Sequence, residues 1–248
     1  MSDQPLPFRP LNVVAGPASA AGERNRRWVG PVDASTLSEA IGPGFTPKAA
    51  LDLVNFGGKT IRDLVFTNLY VGGEWHHGDR KHIDDALAAA MSDARLNGVV
   101  AQYYQGSISS SFTGSTVLPD RAPTDVFKND VEDLVTGAHR RGLLVGNLAA
   151  TVFCFLLPPG VVLHDDVPAV GGREELDQGA SNPVLGEHDA ASSLEGLGGF
   201  HGSVHIGGET VYYAVGVYSE KLTDGRENGI VVFDAPWKNV VATFYHEL

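Results

Sequence analysis

Thr151-Val-Phe-Cys-Phe-Leu-Leu157 is the stretch on which the reading of the fold turns. Apart from Thr151 it offers nothing polar at either parity, so a strand here must be covered on both faces. That is the condition of a central strand in an α/β layer rather than of a half-wetted antiparallel sheet. Pro158-Pro159-Gly160 ends it. Upstream, Leu64 to Val71 is a second strand candidate closed by Gly72-Gly73. After Asp79 a helix is expected through about Arg95, with Ile83, Leu87, Met91 and Ala94 inward and Asn97-Gly98 as its stop. Residues 99–120 hold a short turn of helix and a polar-edged strand. A further helix is expected from about Thr124 to Arg141, burying Phe127, Val131, Leu134, Val135 and Ala138 and capped by Gly142. Downstream, His201 to Ile206 and Thr210 to Ser219 flank Gly207-Gly208, a two-residue hairpin signal. Gly229 to Phe233 reads as one more strand.

Strands and helices in this order predict an α/β fold, a mixed β-sheet with helices packed on it, over residues 61–248. Residues 1–60 are rich in Pro, Gly, Ala and Ser and read as an extended N-terminal arm with one short helix, Pro47 to Phe56. Gly160 to Gly199 is loop-like and acidic, with Arg173 its only basic residue.

The formal charge of −12 opposes non-specific attachment to nucleic acid or an anionic membrane surface, and favours metals and cationic ligands. No apolar run reaches the ~20 residues a membrane span needs, and the amino terminus lacks a charged-then-apolar leader. With a single cysteine, the expectation is a cytoplasmic protein without a disulfide framework. Cys154, in the middle of the apolar run, is expected to be a buried, inert thiol.

Chemistry is concentrated at the end of the chain. Asp234-Ala-Pro-Trp-Lys-Asn-Val-Val-Ala-Thr-Phe-Tyr-His-Glu-Leu248 has Trp237, Val240, Val241, Phe244 and Leu248 at the spacing of one helical stripe, with Asp234 placed to cap it and Pro236 in the first turn. At about 100° per residue His246 falls opposite that stripe and Glu247 on its flank. His-Glu on a helix is the first half of His-Glu-x-x-His, in which two His one turn apart bind zinc and the Glu activates water. The second ligand would fall at position 250, past Leu248, so the expectation is the front part of a longer zinc site.

Other polar groups are weaker candidates. His201 and His205 on one strand would share a face about 13 Å apart at about 3.3 Å per residue, too far for one ion. His201 is therefore expected to face a cleft and His205 to be a surface residue. Glu74, His76, His77, Asp79 and His82 cluster around a helix start, where capping alone explains polar residues. His164-Asp165-Asp166 follows the central strand and would suit a hard cation, without the spacing of an EF-hand loop. No P-loop, dinucleotide fingerprint or Gly-x-Ser-x-Gly elbow occurs, which argues against nucleotide binding and serine hydrolysis.

Asn68-Leu-Tyr-Val-Gly-Gly-Glu-Trp75, Tyr103-Tyr-Gln105, Gly199-Phe-His-Gly-Ser203, Tyr212-Tyr-Ala-Val-Gly-Val-Tyr218 and Val240-Val-Ala-Thr-Phe-Tyr-His-Glu247 together resemble the EXORDIUM, or phosphate-induced, protein family and its bacterial zincin-like relatives. The resemblance spans about residues 61–248. It implies a zincin-like three-layer arrangement and zinc-dependent hydrolysis of a peptide or protein substrate. In this reading the His-Glu motif makes His246 the first metal ligand and Glu247 the general base, and a site closed within this chain needs a further ligand from His201, His76 or His77. The plant members are secreted and rich in cysteine, whereas this chain has one cysteine and is read as lacking a signal peptide. The alternative reading is a non-catalytic binding or interaction domain.

Overall fold

The structure, a computed structural model, describes residues 59–73, 75–101, 104, 107–119, 121–165 and 191–248. The arm with its Pro47 to Phe56 helix, and most of the acidic loop, lie outside the described residues. The described elements are β1 (Asp63–Val71), α1 (His77–Ser92), α2 (Ala94–Ala101), β2 (Ser109–Leu118), β3 (Asp125–Val126), α3 (Lys128–Arg140), β4 (Thr151–Leu156), β5 (Val162–Leu163), a short 3-10 helix (Ser193–Glu195), β6 (Gly199–Ile206), β7 (Glu209–Gly216), β8 (Glu220–Lys221), β9 (Glu227–Asn228) and α4 (Pro236–Glu247).

Five strands form the main sheet in the order β2-β1-β4-β7-β6. β4 lies at its centre, parallel to β1 and β7, and β1 is parallel to β2. Only β6, at the edge, runs antiparallel, because the two-residue turn returns the chain directly onto β7. Gly207 and Gly208 have φ of 60° and 88°, the left-handed pair that such a turn requires. The sheet is thus mixed, and the α/β class follows.

The alternation along β4 explains why the run had to be apolar throughout. Phe153 and Phe155 point into one core with Val131, Val135 and Ala138 of α3. Cys154 and Leu156 point into a second core with Ile83 and Leu87 of α1 and Val240 and Phe244 of α4. Helices therefore cover both faces, giving three layers, and each large buried side chain contributes about 1.5–3 kcal/mol. Among the described residues no helix is long and apolar enough to cross a membrane.

Four expectations at element ends need correction. The helix expected to run through about Arg95 stops at Ser92, and Asp93 opens α2 by accepting hydrogen bonds from the amides of Arg95 and Leu96. Ala94 is exposed, and Asn97 sits inside α2, where its Oδ1 accepts from the Tyr245 hydroxyl. The helix expected from about Thr124 begins at Lys128, because Asp125–Val126 pairs with Val162–Leu163 instead. Gly229 to Phe233 is no strand: Gly229 has φ 76°, and the amides of Val232 and Phe233 donate to the Asn239 side chain rather than to a ladder. Finally, Ala235 rather than Asp234 is the residue before α4, while Asp234 reaches forward to Lys238 at 2.6 Å.

Candidate functional site

α4 carries two buried rows. Val240 and Phe244 form the heart of the apolar stripe, flanked by the partly buried Trp237, Val241 and Leu248. Asn239, Thr243 and Glu247, spaced i, i+4, i+8, form a second row that is polar and equally buried. Each member meets a different partner. Asn239 Oδ1 accepts from the amides of Val232 and Phe233 at 3.0 and 2.9 Å, and its Nδ2 donates to the Ser219 carbonyl at 3.3 Å. Thr243 lies against Gly198, Gly199 and Gly216. One turn on, Glu247 meets His201.

The glycines make that last meeting possible. A Cβ at Gly199 would stand 2.3 Å from the Val215 carbonyl oxygen and 3.0 Å from Thr243 Cγ2, and one at Gly216 would stand 2.8 Å from Phe244 Cε2. No side chain fits there, so the helix seats directly on the backbone of β6 and β7. His201, two residues past Gly199 and opposite Ala214 of β7, then projects towards the helix end.

His201 Nδ1 and Glu247 Oε2 are 2.7 Å apart, with the imidazole side chain 28% exposed and the carboxylate side chain 0% exposed. A carboxylate removed from water loses several kcal/mol of solvation, which a charge-assisted hydrogen bond only partly offsets. Yet Glu247 Oε1, and Thr243 Oγ1 one turn away, are buried with no hydrogen-bond partner among the described residues. The charge is felt locally: the Cys154 thiol is pushed well above its ordinary range, by burial first and by Glu247 second. A buried, under-partnered carboxylate on a half-open histidine is costly to keep, and such costs concentrate where chemistry is done.

The sequence-nominated residues separate accordingly. Glu247 and His201 are brought together across 46 positions, whereas His246 is exposed, as its place opposite the apolar stripe requires. His205 is exposed and bonds to Thr210 at 3.1 Å, an ordinary strand-surface role. His76 is exposed, the His82 ring lies tilted against Trp237 with ring centres 5.1 Å apart, and Asp79 accepts from the Tyr218 hydroxyl at 2.6 Å. The side chains of Glu74 and His77 lie outside the described residues. His164 stacks on Phe127 at 4.5 Å with Asp125 3.3 Å away, and Asp165 accepts from the Ala191 amide. Among the described residues no three His, Cys, Asp or Glu side chains gather into a group able to hold a metal ion.

Sequence reasoning missed Asn239 and Thr243. Their signal was the i, i+4, i+8 spacing that ends on Glu247, together with Gly198-Gly199 just before Phe200-His201. No family model, curated protein or solved structure matches the chain.

Proposed function

We propose that this domain is a hydrolase of the zincin-like kind, acting on a peptide or protein, with its working groups at the seam between β6 and α4. The observation that supports this reading is the buried Glu247 carboxylate hydrogen-bonded to a part-exposed His201, next in the chain to His246. The donor types suit zinc: imidazole nitrogens are its ordinary ligands, and a carboxylate behind an imidazole is the usual support of a ligating His. The number falls short, since a catalytic zinc takes three protein ligands and the nominated imidazoles here are His201 and His246. A third would come from outside the described residues. When bound, zinc would supply Lewis acidity that makes water a nucleophile near neutral pH. The chain's own part is to hold the imidazoles and to move a proton through the His201–Glu247 pair, for which the His-Glu motif casts Glu247 as base.

The exposure of His246 favours a second reading, a non-catalytic binding domain. Calorimetric zinc titration with cleavage of a fluorogenic peptide library separates the two. The hydrolase reading expects weak, chelator-labile zinc binding that is lost in both His201→Ala and His246→Ala. Zinc binding unchanged in both variants, with no cleavage, would leave the binding domain.

A further inference from the structure

We infer that Glu247 is a positioning residue that acts through His201, and that the working atom of the pair is His201 Nε2. The inference rests on the reading that the β6–α4 seam is the working site, and it redistributes the roles within it.

The contact itself divides the labour. With Glu247 as the acceptor, the 2.7 Å contact places the ring proton of His201 on Nδ1. A neutral imidazole protonated at Nδ1 has its lone pair at Nε2, the atom that can then accept a proton or bind a soft cation. Burial points the same way. A general base must come within about 2.6–3.2 Å of the proton it removes. The Glu247 side chain is 0% exposed, and the part of the pair that reaches the surface belongs to His201.

Packing holds the carboxylate in this supporting position. Phe244 and Thr243 fix the helix against Gly216 and Gly199, and neither rotation nor retreat of α4 is possible without opening contacts of 0–1% exposed side chains. Glu247 is carried by that packing to a single place behind the imidazole. With Oε1 unbonded among the described residues, the negative charge is directed at Nδ1–H, and low local polarity strengthens that bond. This is how outer carboxylates orient working histidines and raise their basicity.

The test is nitrogen-15 long-range NMR of the full 248-residue chain, at a pH where His201 is neutral. His201 is expected in the Nδ1-protonated form. Glu247→Gln, which keeps an acceptor oxygen, should retain that form. Glu247→Met, which removes it, should switch the ring to the Nε2-protonated form that histidine prefers in water. A wild-type ring protonated at Nε2, or a tautomer indifferent to Glu247→Met, would overturn the assignment; if the Met variant does not fold, the wild-type tautomer decides alone. With Zn²⁺ as probe, Glu247→Met should weaken binding about 10–100-fold and Glu247→Gln much less. A direct base would instead lose about 10²–10⁴ in kcat on Glu247→Gln with zinc affinity unchanged, and that result would also overturn the proposal. Complete absence of zinc binding in the wild type sinks the zincin-like reading, and the tautomer still decides the role of Glu247.

Discussion

The two buried rows of α4 differ in what holds them. Val240 and Phe244 are buried because apolar surface is expelled from water, with no polar partner required. Asn239, Thr243 and Glu247 are buried only because particular partners stand opposite them: two loop amides, three glycines and one histidine. The first row stabilises; the second positions. A helix can therefore spend half of its inward surface on groups that gain little by burial, provided the other half secures it.

Substitutions can break or sharpen this contrast. Phe244→Ala empties a fully buried site between α4 and the sheet and should cost about 3–5 kcal/mol in urea unfolding. Gly199→Ala attacks the other row without removing any polar side chain. Its Cβ would press on the Val215 carbonyl and on Thr243, and a loss of about 1–3 kcal/mol is expected. Chemical-shift changes should then centre on Glu247 and His201. If Gly199→Ala were neutral, the close seating of the helix would be wrong.

Asn239→Ala should cost about 1–3 kcal/mol, because it leaves the Val232 and Phe233 amides without their acceptor. Hydrogen exchange at those two amides should accelerate well before the rest of α4 responds. At the small end, Lys238→Ala removes an exposed pair with Asp234 and a surface cation–π contact 5.6 Å from the Trp237 ring centre, and should cost no more than about 1 kcal/mol. Cys154 gives a further check on burial: folded protein should resist iodoacetamide, with labelling appearing only as the chain unfolds.

The apolar half of this architecture was legible in the sequence for a physical reason. Hydrophobic burial is non-specific, so spacing alone declares it, and Thr151 to Leu157, the Gly207-Gly208 hairpin and the Trp237-to-Leu248 stripe all stood out. Element ends were harder. Asp93 restarts a helix that Asn97-Gly98 was expected to stop, since a capping carboxylate acts locally whatever signals follow. Gly229 to Phe233 has strand composition, but the amides of Val232 and Phe233 are claimed by the Asn239 side chain seven and six residues further on. The polar row was illegible because its meaning lies across the chain. Nothing within a helix containing Glu247 announces His201, 46 residues earlier on an edge strand, and the pair became visible only when the glycines brought the two elements together.

The central claim is that His201 and Glu247 act as one unit, and a double-mutant cycle in stability measures it most directly. His201→Leu, Glu247→Met and the double variant should show a coupling of about 1.5–3 kcal/mol, the range of a hydrogen bond to a charged group. Additive costs, agreeing within about 0.5 kcal/mol, would mean that the two residues are neighbours without being partners.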